Sequence, residues 1–194
     1  MLGLLALAGL GACGGSDTPS SAGATVPKAT STTTPADPYA VPPTIDAAYL
    51  NKVFAALERV DGDATRAVVA SKDFVPDAAK RLRAIYAEEE FKEQVDLWLD
   101  IVIKKQFDRF NTPPGDRSSV VEKVMTGRPD CVYVAVRRDY AAVAVTPPAA
   151  DVEYVALRPA DDGRDPFELN PTPWMISSEG YRSDGAVPRD PCAS

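Results

Sequence analysis

Apolar residues in the first half of this chain recur at helical spacing, and in the second half they alternate. Ile45, Tyr49, Val53, Leu57, Val60, Ala64 and Val68 follow one another at steps of three or four, one face of an amphipathic helix. Thr44 is placed to cap it, and Asp46 lies in the first turn, where the helix dipole favours a carboxylate. Asp61-Gly62-Asp63 is its weak point, expected to bend or split it. A second helix opens at Pro76-Asp77 and presents Ala78, Leu82, Ile85 and Tyr86. The pattern slips across Glu88-Glu89-Glu90 and restarts with Phe91, Val95, Trp98, Leu99, Val102, Gln106 and Phe110. That slip predicts a short helix and then a longer one, ended by Asn111-Thr112-Pro113-Pro114-Gly115.

Beyond residue 118 the spacing changes. Ser119–Met125 and Cys131–Arg138 are valine-rich, and Val132, Val134 and Val136 alternate with Tyr133, Ala135 and Arg137. Ala141–Val145 either extends that strand past a bulge or forms its own, and Pro147-Pro148 ends it. Val152–Leu157 and Pro173–Ser178 read as two further strands, with a polar loop over Ala160–Pro171. Helices followed by strands predict an α+β class: N-terminal helices packed on a curved antiparallel sheet of about four strands.

The N-terminal quarter has neither pattern. Residues 14–44 are rich in Ser, Thr and Pro, with Thr32-Thr33-Thr34 and Pro42-Pro43 and almost no large apolar group. Such a stretch buries too little surface to offset its ordering entropy, so it reads as a disordered tether that holds a 45–194 globular domain off a surface. Its composition also permits O-glycosylation, and an unmodified spacer is an equally good reading.

Composition narrows the chemistry. The chain has 194 residues, a net charge of −7 and no histidine. The acidic balance argues against nucleic acid, which requires a basic stripe, and against docking of the folded body on anionic headgroups. The missing histidine excludes Ser-His-Asp and Cys-His catalysis, histidine-ligated zinc and histidine pH switches. No glycine-rich phosphate loop or clustered metal ligands appear, so no cofactor is expected. The wealth of Ala, Val, Asp and Arg resembles the composition of actinobacterial proteins.

Cys13 follows the apolar run Met1–Leu10 and the small pair Gly11-Ala12, and precedes Gly14-Gly15-Ser16. The segment is too short to span a bilayer, which takes about 20 residues, and matches the apolar core of a secretory signal. Leu10-Gly11-Ala12-Cys13 resembles the lipobox of bacterial lipoproteins, although nothing basic precedes Cys13. The resemblance implies removal of residues 1–12, acylation of Cys13 and anchoring to the outer side of the cell membrane. Acyl chains contribute about 0.8 kcal/mol per buried methylene, so two or three anchor a domain where one does not. In an exported chain Cys131 and Cys192 are then an even pair, expected to form a disulfide, with two free thiols or an intermolecular bridge as the alternatives.

The domain layout resembles the nuclear-transport-factor-like cone fold, with Pro173-Trp174-Met175-Ile176-Ser177-Ser178 similar to its terminal strand. The mammalian-cell-entry-associated accessory proteins of actinobacteria share this tether-plus-cone arrangement. Ligands in cone folds often lie between helices and sheet.

Individual residues divide into site and scaffold. Asp161-Asp162-Gly163-Arg164-Asp165, with Glu168, is the densest acidic run and reads as a solvated turn rather than a calcium loop. Tyr86, Trp98, Tyr133 and Trp174 read as filled core; should a pocket exist, Trp98 and Tyr133 are expected to border it. Asp96 with Asp100, and Asp139-Tyr140, are the carboxylates weighed for catalysis, and none carries a motif. Arg137-Arg138 and Lys104-Lys105 read as solvated pairs. The expected function is a non-catalytic, lipid-anchored envelope protein whose domain binds a partner protein or small ligand. The alternatives are a carrier with an apolar cavity, or a cone-fold enzyme that sets a buried carboxylate beside a Tyr hydroxyl.

Overall fold

The computed structural model describes residues 37–148, 152–160, 168–180 and 187–193, all within one compact unit of residues 36–194. Cys13 and the acidic run 161–165 lie outside the described residues.

The first helix, α1 (Ala47–Ser71), is capped by Asp46 rather than Thr44. The Asp46 carboxylate accepts from the Tyr49 amide at 2.8 Å, one of the amides the helix itself leaves unpaired. All seven residues of the apolar stripe from Ile45 to Val68 are buried. The expected break at Asp61-Gly62-Asp63 does not occur, because each residue has a tertiary role. Asp61 accepts from the Tyr86 hydroxyl at 3.1 Å, and Asp63 pairs with Arg66 and Arg81. A Cβ on Gly62 would lie 2.0 Å from Asp116 Oδ1, so glycine leaves room for the Asp116–Arg66 ion pair. These contacts offset the roughly 1 kcal/mol that a mid-helix glycine costs.

Helix α2 (Pro76–Ile85) begins at its proline as expected. Tyr86 is extended and ends it, and α3 (Glu88–Lys104) starts two residues later. Glu88, Glu89 and Glu90 are therefore the first turn of α3, where the dipole stabilises them. The third helix stops earlier than the spacing predicts. Lys105 turns left-handed at φ 56°, and Phe107–Arg109 form a 3₁₀ turn. Phe110 lies beyond the helix and folds back to stack on Trp98, with ring centroids 5.5 Å apart.

Strands β1 (Ser118–Arg128), β2 (Cys131–Asp139), β3 (Val152–Pro159) and β4 (Trp174–Gly180) form one antiparallel sheet in the order β1-β2-β3-β4. The α+β class and the four strands agree with the sequence reading. Ala141–Val145 is neither an extension of β2 nor a strand; it is a turn with a single bridge from Ala144 to Phe110. Val132, Val134 and Val136 face the helices with Val155 and Leu157. Cys131 and Tyr133 face the other way and pack with Ala156 and Cys192.

Groups on and beside the helices pair part of both sheet edges, where unpaired backbone groups are open to other chains. On β1, the Val121 amide donates to Asn51 Oδ1 at 2.8 Å and the Ser119 amide to Glu58 Oε2 at 3.1 Å. On β4, the Ile176 carbonyl accepts from the Ala87 amide at 2.8 Å, and the Glu179 amide donates to Glu90 at 3.1 Å. Trp174 joins the two layers: its indole N–H donates to the Tyr49 hydroxyl at 2.8 Å. The chain just before α1 is held here too, since the Tyr49 hydroxyl donates to the Tyr39 carbonyl at 3.0 Å.

Cys131 and Cys192 are joined, with Cα atoms 5.6 Å apart, so the C-terminal segment is fixed to the outer face of the sheet. Arg128 donates to the Cys192 carbonyl at 2.8 Å and Thr126 to Asp190 at 2.6 Å, which sets the direction of that segment.

Candidate functional site

The helices do not close completely over the sheet. A cavity of about 520 Å³ lies between α1, α3 and the loop residues 108–117 and 140–148. That volume falls in the range of small-molecule sites, about 300–1,000 Å³. The loop wall is locked together. The Asn111 amide donates to the Val143 carbonyl and the Val145 amide to the Arg109 carbonyl, both at 2.9 Å. Gly115 permits the closest approach: its amide donates to the Ala142 carbonyl at 2.8 Å, and a Cβ there would meet Ala142 Cβ at 2.8 Å.

One side of the cavity is apolar, with Leu97, Trp98 and Ile101 of α3 opposite Phe110, Val143 and Val145. Leu97 and Val145 are largely exposed at its rim. Asp61, Thr65, Gln94, Arg117 and Tyr140 supply the polar groups.

Behind Asp61 and Arg117 lies a buried charge network built from α1, β1, β2, β3 and β4. Arg117, only 10% exposed, donates to the Tyr86 hydroxyl at 3.0 Å and to Glu179 at 3.2 Å. It lies 3.8 Å from Asp61 and 3.9 Å from Glu58, and its Nε has no protein hydrogen-bond partner. Arg138, 1% exposed, donates to Glu179 at 2.6 Å and to Glu153 at 2.8 Å. The Tyr140 hydroxyl donates to Glu153 at 2.8 Å, and Ser119 holds Glu58 through both its amide and its hydroxyl.

These surroundings split the acids. Burial alone would raise Glu179, but Arg117 and Arg138 outweigh it and hold that carboxyl at about 2. Burial dominates at Glu58 and raises its pKa against the pull of Arg117 and Ser119. Glu90 is raised by burial as well. Burial drives the Tyr86 hydroxyl well above the usual tyrosine range, so it remains a hydrogen-bond donor to Asp61.

The structure does not bring Trp98 and Tyr133 together. Trp98 lines the cavity, whereas Tyr133 lies on the opposite face of the sheet, its hydroxyl donating to the Pro188 carbonyl at 3.2 Å. Strand alternation is the reason, since residue 133 is out of phase with the valines that face α1. Tyr86 and Trp174 are filled core, each 1% exposed. Asp96 and Asp100 face water, the latter paired with Lys104 at 2.8 Å. Arg137-Arg138 is not a solvated pair: Arg137 is exposed, and Arg138 is among the most buried residues of the chain. Among the described residues, no group of His, Cys, Asp or Glu is placed to hold a metal, and no helix is long and apolar enough to cross a membrane.

The sequence pattern gives no site role to Glu58, Asp61, Arg117 or Glu179. A signal for Glu58 exists: Asn51, Glu58 and Thr65 repeat every seven residues along α1, the polar margin of its apolar stripe. Comparison of the chain with family models, with curated proteins and with solved structures gave no match.

Proposed function

We propose that this protein is a non-catalytic, lipid-anchored envelope protein whose domain captures a small, largely apolar ligand in the cavity between α1 and α3. The observation that carries this reading is the cavity itself: about 520 Å³, with the stacked Trp98–Phe110 pair on one side and polar groups on another. Its lining, apolar on one side with a few convergent polar groups on another, has the make-up of a small-molecule site. The Leu10-Gly11-Ala12-Cys13 run supports the anchor, and the Ser/Thr/Pro stretch that follows supports a tether.

Fluorescence titration of the full chain with the uncharged apolar dye Nile red tests the capture. Saturable binding at one site is expected, lost in an Ala144→Phe chain that fills the cavity and keeps its melting curve. Equal binding by that variant sinks the reading. For the anchor, a Cys13→Ala protein should leave the membrane fraction, and retention of all of it there would exclude acylation as the attachment.

A second reading follows from one contact. The Tyr86 hydroxyl lies 3.1 Å from Asp61 Oδ1 at the cavity, a carboxylate beside a Tyr hydroxyl. An enzyme using Asp61 as general base would show turnover of a captured ligand. Turnover abolished by Asp61→Asn with an unchanged melting curve would replace the non-catalytic reading.

A further inference from the structure

The charges at the inner end of the cavity do not balance. The two guanidiniums Arg117 and Arg138 face four carboxylates, Glu58, Asp61, Glu153 and Glu179, at distances of 2.6 to 3.9 Å. Glu90 adds a fifth carboxylate next to the Glu179 amide. Even with Glu58 and Glu90 both counted as neutral, three carboxylates remain against two guanidiniums. Asp108 and Arg109 also line the cavity, one charge of each sign.

The uncompensated charge has a definite place. Of the four carboxylates around the arginines, only Asp61 lines the cavity. Its Oδ1 accepts from Tyr86, and its Oδ2 lies 3.8 Å from Arg117 Nε, too distant for a hydrogen bond. The Asp61 side chain, 15% exposed and lining the cavity, thus has an oxygen that a donor in the cavity can reach. Trp98 and Phe110 line the same cavity, and aromatic rings attract cations as well as apolar bodies.

We infer that the cavity takes an organic monocation: an apolar body bearing one protonated amine, with the amine on Asp61 Oδ2 and the body along Trp98, Ile101 and Phe110. The inference rests on the ligand-capture reading above. An ammonium both donates to Asp61 and neutralises the excess negative charge. A carboxylate head would meet Asp61 as a like charge and would find Arg117 already shared between Tyr86 and Glu179, with only its Nε unpaired, and an alcohol would leave the charge uncompensated. The net charge of −7 acts in the same direction, since it raises the local concentration of cations.

Calorimetric titration of the full chain with 1-octylammonium, 1-octanol and octanoate keeps the body constant and varies the head. Octylammonium should bind tightest, by about tenfold over octanoate and about threefold over octanol, tenfold being about 1.4 kcal/mol. Asp61→Asn should erase the difference between octylammonium and octanol. If that variant fails to fold, the order in the parent chain still decides. Octanol or octanoate binding as tightly as the amine, in a manner blocked by Ala144→Phe, overturns this inference and leaves the capture reading standing. Binding of none of the three, or equal binding by the Ala144→Phe chain, overturns both.

Discussion

Arg138 donates to Glu179 at 2.6 Å, joining β2 to β4 across the intervening strand β3. The neighbouring Arg137 points to the other side of the sheet and pairs with Glu122 near the surface. Two adjacent arginines therefore have opposite energetic roles. Removal of one partner of a buried pair strands the other charge, at a cost of about 3–5 kcal/mol. An exposed pair contributes about 0–1 kcal/mol. Denaturant unfolding should show Arg138→Ala losing stability in the first range and Arg137→Ala in the second. Equal losses would place the two side chains in like surroundings.

That contrast also shows what the sequence reveals and what it hides. The faces of α1 and α2, the Pro76 start and the phase of β2 are set by local spacing, and each appears in the structure where the pattern puts it, whereas on α3 Leu99 is exposed and Ile101 is buried in its stead. Arg138 was legible as well, because it keeps the phase of Val132, Val134 and Val136 and so points at the helices. Its charge masked that phase. Phe110 misled for the opposite reason: it continues the spacing of α3, but Lys105 has already turned the chain left-handed. The cavity could not be read at all. It depends on α3 standing apart from α1 at Trp98, and on a loop ladder between residues 109 and 145, both products of long-range packing.

Glu179 should dominate the acid side of the stability profile. Its folded pKa of about 2 lies below the ordinary 4.5, so its contribution is complete above pH 4.5 and is lost as pH falls toward 2. The shift corresponds to a stabilisation on the order of 3 kcal/mol. Glu58 has the opposite sign: its pKa is raised, so stability declines as pH rises from 4.5 through its folded pKa. At pH 7, Glu179→Gln should therefore cost about 3–5 kcal/mol, and Glu58→Gln less than half as much. Melting curves of both variants from pH 3 to 8 check this, and a larger loss for Glu58→Gln would contradict the opposite directions of the two shifts.

The Cys131–Cys192 bond closes a loop over a sequence separation of 61. Chain entropy predicts a stabilisation of about 4 kcal/mol from such a closure. Replacement of both cysteines by Ala should lower the unfolding free energy by about that amount while the core around Trp174 keeps its near-ultraviolet signature. A loss under about 1 kcal/mol would mean that the hydrogen bonds of Arg128, Thr126 and Tyr133 suffice to hold the C-terminal segment.

The most direct test of the central claim is residue-resolved NMR during titration with 1-octanol, which probes capture independently of head-group charge. The account predicts saturable shifts at the amides of Asp61, Thr65 and Val143 and at the Trp98 indole, which share the cavity. Tyr133 and Tyr154, on the other face of the sheet, should not move. Shifts centred on the outer face, or none anywhere at saturating probe, would contradict a ligand cavity between α1 and α3.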